Sequence, residues 1–85
     1  MPQISLFLGI SVRIHFANHA PPHLHAQYAG CRVMVELAND AILRGGLPPA
    51  QQQRLLHWMG QHRKELGDAW QRAVQQTPPS EIPYP

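Results

Sequence analysis

The hydrophobic pattern of the chain changes period at Gly45-Gly46. Before that point it runs in steps of two: Val12, Ile14 and Phe16 alternate with Arg13 and His15, and Cys31, Val33, Val35 and Leu37 alternate with Arg32, Met34 and Glu36. Side chains two apart share one face of an extended chain, so each run predicts a strand with one apolar face. Ala29-Gly30 separates His23–Tyr28 from Arg32–Leu37 by a tight connection, and Ala38-Asn39-Asp40 separates the latter from Ile42-Leu43. Consecutive hairpins are the simplest topology, giving an antiparallel meander of three to five strands over residues 4–44.

Beyond Gly46 the spacing becomes three and four, with Leu55, Met59, His62, Leu66, Trp70 and Ala73 on one stripe, so an amphipathic helix is predicted over 48–76. A straight helix over 49–76 would run about 42 Å, against a radius of gyration of about 12 Å for a globule of this size. The pattern therefore predicts a break or bend, at Gly60 or Gly67, or a distal part packed on another chain. Residues 77–85 hold four of the nine prolines and predict an extended tail, which wraps the domain or binds a partner. The expected fold is α+β: one domain over 1–76 in which an N-terminal antiparallel sheet packs against a C-terminal helix or helix pair, followed by the tail.

Composition narrows the class. Eighty-five residues hold one small core. The single Cys31 has no partner for an intrachain disulfide and reads as a small buried hydrophobe. Met1–Ser5 has no basic stretch and the apolar run after it is short, so no secretory leader is expected, and the protein is expected in the cytoplasm. No apolar run approaches the roughly 18 residues needed to span a bilayer. The net charge of +2, with six neutral histidines, permits an RNA or acidic partner without demanding one.

The candidate chemistry lies in His19-Ala20-Pro21-Pro22-His23-Leu24-His25-Ala26, three histidines within seven residues around a stiff Pro-Pro arm. If His23 opens a strand, His23 and His25 share a face about 7 Å apart and can converge on one ion, with His19 folding over from the loop. Three imidazoles with an open fourth position suit zinc, copper or nickel, and His15 or His62 is the candidate fourth ligand. The same residues also suit metal-free RNA cleavage. Two histidines would act as acid and base, Arg13 or Arg32 would stabilise charge on phosphorus, and Tyr28 would stack on a base. Plainer readings stand beside both: loop histidines bonded to backbone carbonyls, and His62 as a partly buried, hydrogen-bonded stripe residue. His57 reads as solvated. Trp70 reads as core, and Trp58, off the stripe, marks a partner surface. Arg63, Lys64, Glu65 and Asp68 read as a solvated helix face, which leaves Arg13, Arg32 and Arg44 as the strand cations.

Met1–Phe7, Val12–Phe16, the His19–Ala26 segment and His62-Arg63-Lys64-Glu65-Leu66 with Trp70 together resemble the bacterial domain-of-unknown-function family 4160. The likeness covers nearly the whole chain. It departs at Ala20, where the family commonly has an acidic or asparagine-rich residue, and at Tyr28-Ala29-Gly30, where it has a Tyr-Gly hairpin. The resemblance brings no activity with it. It implies a small standalone protein encoded beside a second small protein, in the manner of a toxin with its antitoxin, and it points to His19, His23, His25, His62 and Trp70. The expected function is a toxin-like component acting on RNA or its apparatus, a nuclease with or without metal, with His19, His23, His25, Arg13 and His62 in the working site. A transition-metal-binding module using the same histidines is the alternative. A non-catalytic interaction protein bound through Trp58 and the tail is a third. An antitoxin-like partner is expected and a homo-oligomer is left open.

Overall fold

Five short strands and two helices realise the pattern in a computed structural model, which describes residues 3–14, 21–75, 77 and 81–84. The strands β1 (Gln3–Phe7), β2 (Ile10–Arg13), β3 (His23–Tyr28), β4 (Cys31–Glu36) and β5 (Ile42–Gly45) form one antiparallel sheet in sequence order. The fold is α+β, as the change of period predicts. Two of the connections are two-residue turns whose central residues both have positive φ, Leu8-Gly9 (51° and 80°) and Ala29-Gly30 (47° and 85°). That backbone matches the twist of the flanking strands and sets register by counting outward from the turn. Tyr28 thus pairs with Cys31, Gln27 with Arg32, and His25 with Met34.

The apolar face carries Ile4, Phe7, Ile10, Val12, Ile14, Leu24, Ala26, Val33 and Val35, all buried. Against it pack α1 (Pro49–Gln61), through Leu55, Trp58 and Met59, and α2 (Arg63–Val74), through Leu66, Ala69, Trp70 and Ala73. The helical stretch breaks at His62 rather than at Gly60 or Gly67, which lie inside α1 and α2. His62 serves as C-cap of one helix and N-cap of the next, with φ −125° and ψ 31°, and its N–H bonds Met59 O in a tightened last turn. A break is required by size, since the longest extent of the molecule is 33 Å and the radius of gyration is 11.5 Å. Arg63, at the start of α2, ties the helices to the β4–β5 turn through a two-pronged pair with Asp40, at 2.6 and 3.2 Å.

Trp58 is not a partner surface. It is fully buried, 5.0 Å from the Phe7 ring, and its Nε1–H donates to Pro83 O at 3.0 Å. The break at His62 gives each helix its own buried stripe, so Trp58 joins Leu55 and Met59 at spacings of three and one. The tail residues Glu81–Tyr84 run along β1: Ile82 N–H donates to Ile4 O, Ser5 Oγ donates to Ile82 O, and Tyr84 stacks on Phe7 at 4.7 Å. This covers one sheet edge with the chain's own backbone.

On the other side, β4 and β5 shift register between Met34 and Val35, and Gly45 pairs with Val33 at φ +71°. A Cβ at Gly45 would collide with the Arg32 carbonyl oxygen, which accepts the Gly46 N–H. Gly45→Ala is therefore expected to cost about 1–3 kcal/mol in a denaturation experiment, because it combines a positive φ with a backbone clash. An unchanged midpoint would show that β5 is not held against β4 at this point.

Candidate functional site

The alternation that builds the core also builds the opposite face. Arg13, His25, Met34 and Arg44 lie side by side on β2, β3, β4 and β5, each the register partner of the next. One pleat along, Ser11, Gln27 and Arg32 form a second row. These seven residues line a shallow concavity of about 480 Å³, and no described helix residue borders it. Cross-strand neighbours stand about 5 Å apart, so the cations Arg13 and Arg44 flank a neutral floor roughly 14 Å across.

The electrostatics of this face are one-sided. None of the three guanidiniums is ion-paired with a described residue. The only acidic residue within the five strands is Glu36, two residues from Met34 on the same face and the register partner of His23, so the three arginines outnumber it. Bringing three like charges onto one surface gives a positive field that attracts a polyanion.

His25 lines this surface, and the His23 ring stands beside it at the start of β3. Their ring centroids are 5.2 Å apart, and the His23 ring also lies 5.5 Å from Trp70 of α2. His25 is half-buried, while His23 is nearly enclosed. His23 Nδ1 lies 2.8 Å from Pro21 O, an atom that can only accept, so Nδ1 carries the proton and Nε2 is the basic nitrogen of the neutral ring. The Pro-Pro arm thus fixes the tautomer of the first strand histidine.

Of the residues singled out in the sequence, Arg13, His23 and His25 come together, with Trp70 behind them. His15 and His19 lie outside the described residues. His62 sits elsewhere, with its ring 5.3 Å from Trp58 and its Nδ1–H donating to Glu65 Oε1 at 2.9 Å. Its Nε2 is buried and bonds no described residue. Among the described residues no three His, Cys, Asp or Glu side chains are grouped to hold a metal ion, so His23, His25 and His62 do not form such a set. Tyr28 turns to the core side, where a Cβ on Gly9 would stand 3.1 Å from its ring. It is not available to stack on a base over the open face. His57 is exposed on α1, and Cys31 is partly buried beside the core.

Ser11, Gln27 and Met34 were not singled out by sequence. The signal existed for two of them, because counting back from the Ala29-Gly30 turn places Gln27 on the His25 face and Met34 opposite His25. Ser11 is different, since its pairing depends on the β2–β3 connection, which no turn pattern sets.

No described helix is long and apolar enough to cross a membrane. No curated protein and no solved structure matches the chain. The family model for a domain of unknown function, DUF4160, matches residues 9–71, a span that runs from the first hairpin turn past Trp70. A match over that much of the sequence settles membership: the chain belongs to the DUF4160 family.

Proposed function

We propose that this protein is an RNA-directed, toxin-like component of a two-gene bacterial system, working through the open face of its sheet with His23 and His25 at the reacting end. The observation that carries this reading is the row Arg13–His25–Met34–Arg44, with Arg32 one pleat away, on a face with no covering element. Phosphates bind such a surface through charge-assisted hydrogen bonds. His25, beside Arg13, takes the proton from a ribose hydroxyl as the hydroxyl attacks phosphorus. His23, which enters the step protonated on both nitrogens with its Nδ1–H on Pro21 O, gives its Nε2 proton to the leaving oxygen, and Arg13 holds the charge that develops between them.

Expression in cells tests the proposal. Growth arrest by the wild type that disappears in a His23→Ala/His25→Ala double variant supports it, and harmless expression of soluble wild type overturns it. Because His23 packs on Trp70, the single variant His25→Ala, at the more exposed position, separates lost function from lost folding.

A second reading is favoured by one observation, the 5.2 Å approach of the two imidazoles. Two neutral imidazoles at this separation can ligate zinc, nickel or copper together with a third group. Elemental analysis of untagged protein decides it: stoichiometric metal favours a metal module, and a trace amount with no affinity on titration removes it.

A further inference from the structure

We infer that Gln27, flanked by Ser11 and Arg32, reads the edge of an exposed base, so that the face prefers adenine-bearing single strands; this rests on the RNA reading above. Gln27 is exposed on the same face as His25, one pleat from it, and its side chain bonds no described residue. Neither does Ser11, its register partner on β2. A solvent-facing amide and hydroxyl in the middle of a cationic concavity carry unused hydrogen-bonding capacity where a nucleotide held by the arginines would lay its base.

The chemistry selects the base. A glutamine amide offers a donor and an acceptor in one plane, and adenine returns an acceptor and a donor through N7 and the N6 amino group. In a single strand adenine presents a second matching pair through N1 and N6, each edge with its own N6 proton, whereas cytosine presents one pair and uracil two that share the single N3–H. The flanking groups fit the same placement. Arg32, the other register partner of Gln27, meets the next phosphate, while Met34 and His25 offer the base a polarisable surface. Contacts from the arginines to phosphate carry no sequence information, so selectivity among adenine, cytosine and uracil strands has to come from groups that reach the bases.

Fluorescence anisotropy with labelled oligoadenylate, oligocytidylate and oligouridylate of equal length tests this on the intact chain. The wild type is expected to bind oligoadenylate at least about 5-fold more tightly, the low end of what one two-pronged contact supplies. Gln27→Met, which keeps the length of the side chain at an exposed position, removes that preference while retaining binding to all three. Arg13→Ala weakens all three together and keeps the ratio. Equal wild-type binding to the three strands, or a preference that survives in Gln27→Met, overturns the assignment while leaving RNA binding in place. Binding to none of them, or equal binding to polyglutamate, removes the RNA reading and this inference with it.

Discussion

Replacing Arg13, Arg32 and Arg44 together with alanine is expected to lower the affinity for single-stranded RNA at least about 100-fold while leaving the fold intact. A hydrogen bond to a charged group contributes about 1.5–3 kcal/mol, and losing even the smaller figure at each of the three positions exceeds a factor of a hundred. Each lost phosphate contact also releases fewer counterions. The slope of log affinity against log salt should therefore flatten by about 2, at roughly 0.7 per contact on a single strand. The fold should tolerate the change because none of the three pairs with a described carboxylate, so no charge is orphaned by their removal. Arg54, exposed on α1 away from this concavity, is the control whose loss should leave both quantities unchanged. Anisotropy titrations across a salt series make the measurement. An unaltered affinity in the triple variant would remove the sheet face as the binding surface.

Trp58→Ala is expected to destabilise the domain by about 3–5 kcal/mol, the cost of emptying a fully buried large aromatic site. For a chain of this length total stability is about 4–13 kcal/mol, so the variant forfeits a large share of it. The indole fills the space between Phe7 on β1 and His62 at the helix junction, and it holds the tail through Pro83 O. Its loss therefore loosens β1, the junction and the tail at once. Trp58→Phe keeps most of the apolar volume and gives up the N–H, so it should cost about 1–2 kcal/mol. Chemical denaturation followed by the fluorescence of the remaining Trp70 reads both variants. A cost below about 1 kcal/mol for Trp58→Ala would mean that the tail and Phe7 do not close over this site.

The fold was legible to the extent that it depends on local rules. Alternation marked the strands because one face of each is apolar, and Ala29-Gly30 announced the β3–β4 hairpin because a two-residue turn needs residues that accept positive φ. The helix break was legible as a necessity of length but not in its position. Gly60 and Gly67 are the local candidates, yet both sit in helix, where an added Cβ would meet nothing within 4 Å. The chain turns instead at His62, where the Nδ1–H bond to Glu65 braces the start of α2 and the ring packs on Trp58. Those are tertiary gains, and helix propensity does not register them.

The site divides in the same way. The sequence by itself determined that His23 and His25 share a face, that Gln27 and Arg32 lie across from one another, and that the chain holds a small α+β core, since each follows from pleat, turn length or hydrophobic period. Only the tertiary structure decided that Arg13 stands beside His25, that Arg44 completes the row, that His62 stays with Trp58 and Glu65, and that Trp58 is sealed by the tail. The physical reason is that the β2–β3 connection is too long to set register by counting, and the β4–β5 pairing slips by one residue at Met34. Which side chains become neighbours across those joints is settled by what the two helices bury on the other side of the sheet.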